Sequence, residues 1–231
     1  MQDLPEKVSV WLQDLGIENN TELDDNPNGG NETGSGNDSN QGNDAGIDNE
    51  PDSKGTVDIS SNARISLSKT TYVYSGKEKK PTVTIKKDSA ELTKNVDYTV
   101  SYKDNIKVGT ASVVITGMGN YTGVVTETFT IVPNGTSISG KITAKSKGFR
   151  LKWKKTAQSL SGYQVQYSTS KKFTQKTTVT KTIKDQFAVK LTINKLKACK
   201  KYYVRLRNYN SVNGKKYYSG WSAVKSVTTK K

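Results

Sequence analysis

The amino-acid sequence predicts an all-β protein: two tandem antiparallel β-sandwich modules that follow a disordered acidic linker with a short N-terminal helix. Beyond residue 57, short runs of alternating apolar and polar residues are separated by Gly, Asn and Asp. No helical periodicity interrupts these runs. Only 32% of the 231 residues are hydrophobic, which is low for a chain that is packed throughout. This composition assigns part of the chain to an unstructured segment.

The N-terminal part divides into two predicted segments. Residues 1–18 are predicted to form a short helix, because Pro5 suits a first turn and the apolar residues that follow have helical spacing. Residues 19–57 are predicted to be an acidic low-complexity linker rich in Asn, Gly, Asp and Ser, with too few apolar residues to form a core. The start of the chain lacks the basic, apolar and cleavage regions of an export signal.

Residues 58–133 are predicted to form the first β-sandwich. The strand-like runs are rich in Val, Ile, Thr and Tyr, and they read ARISLS, TYVYSG, PTVTIK, DYTVSY, TASVVITG and TETFTIV. The stretch GMGNYTG at 117–123 is typical of a hairpin loop. Runs of this length, separated by turn residues and without intervening helices, indicate an antiparallel sandwich or barrel.

Residues 134–231 are predicted to form the second β-sandwich. Its strand-like runs read GFRLKW, GYQVQYS, FAVKLTI, KYYVRLRNY and KSVTT. Alternation places Phe149, Leu151 and Trp153 on one face of a strand, and Arg150 and Lys152 on the other. Asn-Gly at 213–214 lies between two strand runs, which predicts a tight β-hairpin.

The residue inventory argues against catalysis. The chain has no histidine and one cysteine, so the commonest general base and metal ligand is absent and no intrachain disulfide can form. The acidic residues beyond residue 57 are scattered through turn-like stretches, without an evident carboxylate pair. The sequence therefore predicts a chain that is not an enzyme and holds no metal or other cofactor. No apolar run reaches the length of about 18 residues that would indicate membrane insertion.

Four segments of the second module form a recognisable pattern: LKW (151–153), GYQVQYS (162–168), LKACKKYYVRLRNYN (196–210) and YSGWS (218–222). Together they resemble a fibronectin type III domain of the Lys-rich kind found on Gram-positive surface proteins. The resemblance implies that Leu196 and Tyr202 belong to the tyrosine corner of that family, and that Trp153 is its buried tryptophan. Cys199 stands where the family often has Gly. Residues 59–133 resemble the bacterial immunoglobulin-like repeats that accompany such domains.

The stretch YSGWS is similar to the WSxWS box of cytokine-receptor fibronectin modules, with Tyr in place of the first Trp. In the preceding strand, alternation directs Arg205 and Arg207 outward, together with Tyr203 and Tyr209. The neighbouring last strand carries Trp221. We expect its ring to stack on the two guanidinium groups and so to hold the two strands together. This interpretation assigns Trp221 to the scaffold; stacking on a sugar or another ligand is the alternative.

Charge is distributed very unevenly along the chain. Residues 1–57 carry thirteen acidic residues and two lysines, whereas residues 134–231 carry 24 Lys and Arg against one acidic residue, Asp185. Lys and Arg recur at outward strand positions of the second module, which indicates either a solubilising surface or adhesion to an anionic cell-wall polymer or polysaccharide. The resemblance points outside the cell, so nucleic acid is not an expected partner.

The functional expectation is an extracellular or cell-surface spacer and adhesion segment of a bacterial protein. A monomer is expected, and a protein partner stays open. The alternative is a carbohydrate-binding accessory region of a secreted polysaccharide-degrading enzyme, which would use exposed aromatic residues beside the predicted hairpin. The candidate binding residues are Tyr209, Lys215, Lys216, Tyr217 and Tyr218.

Overall fold

The computed structural model describes residues 55–61 and 63–231, and these residues form β-strands joined by turns. The predicted N-terminal helix and residues 19–54 of the predicted linker lie outside the described residues. The prediction of an all-β fold is confirmed, since helical structure in the described part amounts to a 3-10 turn at Gln175–Thr177.

Among the described residues, the first module contains nine strands: β1 (Val57–Asp58), β2 (Ala63–Leu67), β3 (Thr71–Val73), β4 (Val83–Lys87), β5 (Ala90–Glu91), β6 (Tyr98–Lys103), β7 (Gly109–Gly117), β8 (Tyr121–Thr122) and β9 (Val124–Val132). One sheet has the order β2-β4-β5 and a second has the order β3-β9-β7-β6. Both sheets contribute to one apolar core, which includes Ile85 from β4, Val113 from β7 and Ile131 from β9. The module is therefore a β-sandwich.

Two pairings in the first module differ from the antiparallel expectation. Strand β3 pairs with β9 in parallel, and β1 pairs with β8 in parallel. Alternation of apolar and polar residues depends on the face that a side chain occupies and not on strand direction. It therefore does not distinguish parallel from antiparallel pairing. The predicted hairpin loop at 117–123 is confirmed, because it connects the antiparallel neighbours β7 and β9 and contains β8.

The second module contains eight strands: β10 (Thr143–Lys145), β11 (Gly148–Lys152), β12 (Gly162–Ser168), β13 (Thr178–Ile183), β14 (Lys190–Ile193), β15 (Lys201–Val212), β16 (Lys215–Tyr218) and β17 (Lys225–Thr228). One sheet has the order β10-β11-β14, and the other has the order β13-β12-β15-β16, with β17 also paired to β15. The core between them includes the predicted inward residues of three strands: Phe149, Leu151, Trp153, Tyr163, Val165, Tyr167, Tyr202, Val204 and Leu206.

The predicted hairpin at Asn213-Gly214 is confirmed. It connects β15 to β16, with Val212 opposite Lys215. Both turn residues have positive φ, 48° for Asn213 and 77° for Gly214. Positive φ at both central positions is the requirement of the type I′ turn, and Asn-Gly meets it at the lowest steric cost.

The described residues form one compact unit that holds both cores. The two cores are joined through Pro133, which is buried, and Asn134. The Asn134 N–H donates to Gln158 Oε1 (2.9 Å), and the Asn134 carbonyl accepts from Asn208 Nδ2 (2.7 Å). A third contact joins Thr110 Oγ1 and Tyr217 Oη at 2.8 Å. Two of these hydrogen bonds thus fix Asn134 to the second module, and the third crosses from the first module to the second.

Candidate functional site

Two arginines are stacked between aromatic rings on the outer face of the β13-β12-β15-β16 sheet. The Arg205 Cζ lies 4.1 Å from the ring centroid of Phe173 and 4.5 Å from that of Trp221. The Arg207 Cζ lies 4.3 Å from the Trp221 centroid and 3.8 Å from that of Tyr218. We call these five residues the arginine–aromatic stack. At such distances the ring faces attract the guanidinium charges.

Amide oxygens of the neighbouring strand hold the same two arginines. Gln166 Oε1 accepts from Arg205 Nε (2.9 Å) and Nη2 (2.7 Å), and Gln164 Oε1 accepts from Arg207 Nε (2.9 Å). These contacts follow from the pairing of β12 with β15, which sets Gln166 opposite Arg205 and Gln164 opposite Arg207. Burial lowers the pKa of both guanidinium groups, although an arginine stays charged throughout the physiological range.

The sequence predicted that the last strand carries Trp221, but Trp221 lies in the irregular segment between β16 and β17. Two serines anchor this irregular segment to β15. Ser219 Oγ accepts from the Asn208 N–H (3.0 Å) and Ser222 Oγ accepts from the Leu206 N–H (3.1 Å). The N–H groups of Ser219 and Ser222 donate in turn to the carbonyls of Asn208 and Leu206. Serine hydroxyls thus replace the carbonyls of a paired strand, and this replacement leaves Trp221 free to insert between the arginines.

The predicted binding residues near the hairpin do not form one exposed surface. Tyr209 and Tyr217 are buried, with 3% and 7% exposure, so the expectation that they are exposed aromatics is wrong. Tyr209 packs against Tyr218, with ring centroids 6.0 Å apart, and Lys216 Nζ lies 5.6 Å from the Tyr209 centroid. Tyr217 instead contacts the first module, and Lys215 Nζ lies 5.3 Å from its ring centroid.

Burial of Tyr209 has an electrostatic effect. Loss of solvent, followed by the neighbouring Tyr218, raises the pKa of the Tyr209 hydroxyl above its ordinary value. Of the five candidates, Lys215 and Lys216 are the exposed ones. The structure places Tyr218 in the arginine–aromatic stack, so its ring is occupied by Arg207.

A second group of cations occupies the outer face of the β10-β11-β14 sheet. Arg150 and Lys152 point away from the buried Phe149 and Leu151 of β11. Lys152 pairs directly with Lys190 of β14, while Arg150 lies between Thr143 and Thr192. We call this surface the cationic face; its members are Lys145, Arg150, Lys152, Lys154 and Lys190.

The ion pairs of the described residues lie away from the cationic face. The ion pairs among the described residues, Lys80 with Glu78 (2.6 Å) and Lys86 with Glu91 (3.9 Å), both lie in the first module. In the second module, Asp185 is the only carboxylate side chain available to 24 Lys and Arg. Like charges directly opposite each other, such as Lys152 and Lys190, repel and disfavour the folded state.

Comparison with known proteins identifies the second module. The family model of the fibronectin type III domain matches residues 132–225. Residues 132–225 therefore form a fibronectin type III domain. No curated protein matches the chain.

Several solved structures are similar to parts of the chain. A computationally redesigned β-sandwich protein has 18% identity and a TM-score of 0.34, over 42% of this chain and 90% of its own. Titin domains A168–A170 have 15% identity and a TM-score of 0.35, over 73% of this chain and 66% of theirs. The FN1–FN3 domains of chicken CNTN1 have 13% identity and a TM-score of 0.35, over 77% and 65%.

The residues expected to support the fibronectin type III domain lie in or beside its core. Trp153 is 3% exposed, and its ring lies 5.2 Å from that of Tyr163 between centroids. Tyr202 Oη accepts from the Lys197 N–H (3.4 Å), and Leu196 packs against the core. Cys199, in the same loop, is exposed and has φ +49°, a backbone region that favours glycine.

The described part of the chain has neither a cluster of metal-binding side chains nor a membrane-spanning helix. Residues 55–61 and 63–231 hold no group of three or more His, Cys, Asp or Glu side chains that could bind a metal ion. Within the same ranges, no helix has the length and apolar character needed to cross a lipid bilayer.

Proposed function

We propose that the chain is a non-catalytic extracellular spacer and adhesion segment of a bacterial surface or secreted protein. In this proposal, the first module is an immunoglobulin-like repeat, and the fibronectin type III domain binds an anionic cell-wall polymer or polysaccharide. The observation that carries the proposal is the cationic face, in which Lys152 and Lys190 lie side by side without a carboxylate partner.

An anionic polymer suits the cationic face because the charges are arranged in a line. Arg150, Lys152 and Lys154 alternate with buried residues along one strand direction. Residues two apart on one strand face are separated by about 6.6–6.8 Å. A chain of phosphates or carboxylates laid along this row would relieve the repulsion between Lys152 and Lys190. Its contribution is electrostatic and is therefore screened by salt.

The contacts at the junction support the role of a spacer. Asn208 is fully buried, and the hydrogen bond that it donates to the Asn134 carbonyl fixes the connecting segment to β15. A polar group buried in this way is costly to separate from its partner. The two modules are therefore expected to hold a constant distance between whatever is attached at their two ends.

Purified Gram-positive cell walls provide the test, used with and without their teichoic acid. We expect the full chain to bind intact walls, and we expect the affinity to fall at least about tenfold between about 50 and 500 mM NaCl. Lys152→Glu with Lys190→Glu should remove most of the binding. Lys171→Glu with Lys172→Glu is the matched control, because it changes the net charge equally at two exposed lysines outside the cationic face.

Two results would contradict the proposal. Binding that is unchanged at high salt would exclude an electrostatic mechanism. An equal loss in both double variants would show that binding depends on net charge and that the cationic face is not a distinct binding surface.

A further inference from the structure

Three segments meet at the end of the fibronectin type III domain that lies away from the β15–β16 hairpin. They are residues 146–147 between β10 and β11, residues 194–200 between β14 and β15, and residues 229–231 after β17. The Leu196 N–H donates to the Lys147 carbonyl (2.8 Å), and the Lys147 N–H donates to the Lys230 carbonyl (3.1 Å). The hydroxyl of the buried Thr229 accepts from the Lys200 N–H (3.0 Å). The three segments therefore form one continuous surface.

Lysine is concentrated on this surface, where the three segments contain six lysines among 12 residues. The connections at the opposite end of the domain are residues 153–161, 184–189 and 213–214. They contain three lysines among 17 residues, together with Asp185, the only acidic residue of the domain. We call the six exposed lysines the lysine pole; its members are Lys147, Lys195, Lys197, Lys200, Lys230 and Lys231. The pole therefore carries its charge without a carboxylate side chain from its own domain.

Two of these lysines occupy unfavourable backbone positions. Lys147 and Lys195 have φ of 42° and 61°, in the left-handed region that glycine adopts at little cost. The other described non-glycine residues with positive φ are Asn and Asp, apart from Phe173 in the arginine–aromatic stack and Cys199 on this same surface. A side chain that is kept at such a position points to a role beyond the fold. The turns alone do not explain lysine at these two positions, whereas a role for its charge does.

The arrangement of the pole favours a surface over a linear polymer as its partner. On the cationic face, Arg150, Lys152 and Lys154 follow one strand direction, whereas the pole lysines come from three segments at the end of the domain. The pole contains no arginine, so it lacks the planar fork that recognises one anion in a fixed geometry. Its ammonium groups are point charges on flexible stems, which suit anionic head groups that move within a bilayer. Clusters of about four to eight basic residues bind anionic lipid in this way.

We propose that the lysine pole docks the fibronectin type III domain end-on onto the phosphate head groups of an anionic lipid bilayer. The contact is peripheral and electrostatic. It is separate from the cationic face, because Lys152 and Lys190 pair at the opposite ends of β11 and β14 from the pole. The domain can therefore contact a bilayer with its end and a polymer with its side, and the bilayer contact does not rest on wall binding.

Sedimentation of the full chain with lipid vesicles tests this contact. We expect binding to vesicles of phosphatidylglycerol and phosphatidylcholine in equal parts, and no binding to vesicles of phosphatidylcholine alone. The partition coefficient should fall at least about tenfold between about 50 and 500 mM NaCl, because salt screens charges at an exposed surface.

Lys147→Gly with Lys195→Gly separates charge from fold. Glycine suits the positive φ at both positions, and this relief offsets the greater freedom of the unfolded chain, so the melting temperature should stay close to that of the wild type. Vesicle binding should fall at least about tenfold through the loss of two charges. Lys197→Ala with Lys230→Ala should have the same effect at positions without positive φ.

The matched control is Lys152→Ala with Lys190→Ala, which lowers the net charge equally on the cationic face. Vesicle binding should change less than about threefold in this control, because its charges lie away from the pole and are screened. On lipid-free cell walls the order should reverse: the control should bind weakly, and the glycine variant should bind almost as the wild type does.

Three results would overturn the proposal. The first is equal binding to vesicles with and without phosphatidylglycerol. The second is an equal loss of vesicle binding in the control and in the glycine variant, which would mean that binding follows net charge alone. The third is a glycine variant that keeps vesicle binding but loses wall binding, which would assign the lysine pole to a wall polymer instead.

Discussion

The two outer faces of the fibronectin type III domain use the same residue types in opposite ways. On one face, Arg205 and Arg207 are held between aromatic rings and by glutamine oxygens. On the other, Arg150 lies between two threonines, and Lys152 lies opposite Lys190. An outward basic residue is therefore part of the scaffold where its cross-strand neighbours are amides and aromatics. Where they are hydroxyls and further cations, as around Arg150 and Lys152, no aromatic ring or amide holds its charged group.

Removal of Trp221 should have the largest effect on stability. Trp221→Ala leaves both guanidinium groups without their shared ring, and we expect a loss of about 1–3 kcal/mol in the free energy of unfolding. Urea denaturation measures this loss, and binding to anionic walls should remain unchanged in the folded variant. An unchanged stability together with lost ligand binding would reverse the assignment and make Trp221 a ligand-binding residue.

Replacement of arginine by lysine compares the two faces directly. Arg207→Lys removes the planar group that stacks on Trp221 and Tyr218 and binds Gln164, so we expect a loss of about 0.5–2 kcal/mol. Arg150→Lys, on the cationic face, should stay within about 0.5 kcal/mol of the wild type. Equal losses of stability for the two variants in chemical denaturation would show that the arginines of the two faces contribute alike to the fold.

Charge reversal at Lys190 should stabilise the domain. Lys190→Glu turns the repulsion with Lys152 into an attraction across β11 and β14, worth about 0.2–1 kcal/mol at low salt. The gain should shrink at high salt, and wall binding should weaken in the same variant. A destabilised Lys190→Glu protein would mean that the cationic face has stabilising contacts of its own.

The smallest effect is confined to alkaline pH. Burial raises the pKa of Tyr209 in the folded state, so its contribution to stability is complete below the unfolded value of about 10 and is lost as the pH rises through the folded value. Stability should therefore fall less steeply above about pH 10 in Tyr209→Phe than in the wild type. The lysines titrate in both proteins and cancel in the difference. Identical slopes would show that the Tyr209 hydroxyl stays solvated.

Strands with strong alternation could be predicted from the sequence. The predicted run GYQVQYS coincides with β12, and β15 extends the predicted KYYVRLRNY by three residues. Strand β13 was missed because its sequence, TVTKTI, has only two apolar residues, Val179 and Ile183, and its positions are mostly exposed. It is an edge strand that pairs only with β12 within the described residues, so it needs little apolar surface.

The parts of the site that the sequence did not predict depend on contacts between distant segments. Phe173 joins the stack from the loop after β12, and nothing in its local pattern marks it. Tyr217 is buried because the first module covers it, and Tyr209 because Tyr218 and Lys216 lie against it. Alternation assigns a side chain to a face of the sheet, but it does not show what covers that face.

The arginine–aromatic stack also determines which alignment of β15 against β12 is allowed. A shift of one residue would turn every side chain of β15 to the opposite side. Arg205 and Arg207 would then enter the core, and Tyr202, Val204 and Leu206 would leave it. Burial of two unpaired guanidinium charges is so costly that the slipped pairing cannot compete with the native one. The two arginines therefore disfavour misaligned pairing of β15 with β12 during folding. They also hold the last strand of the sheet in place.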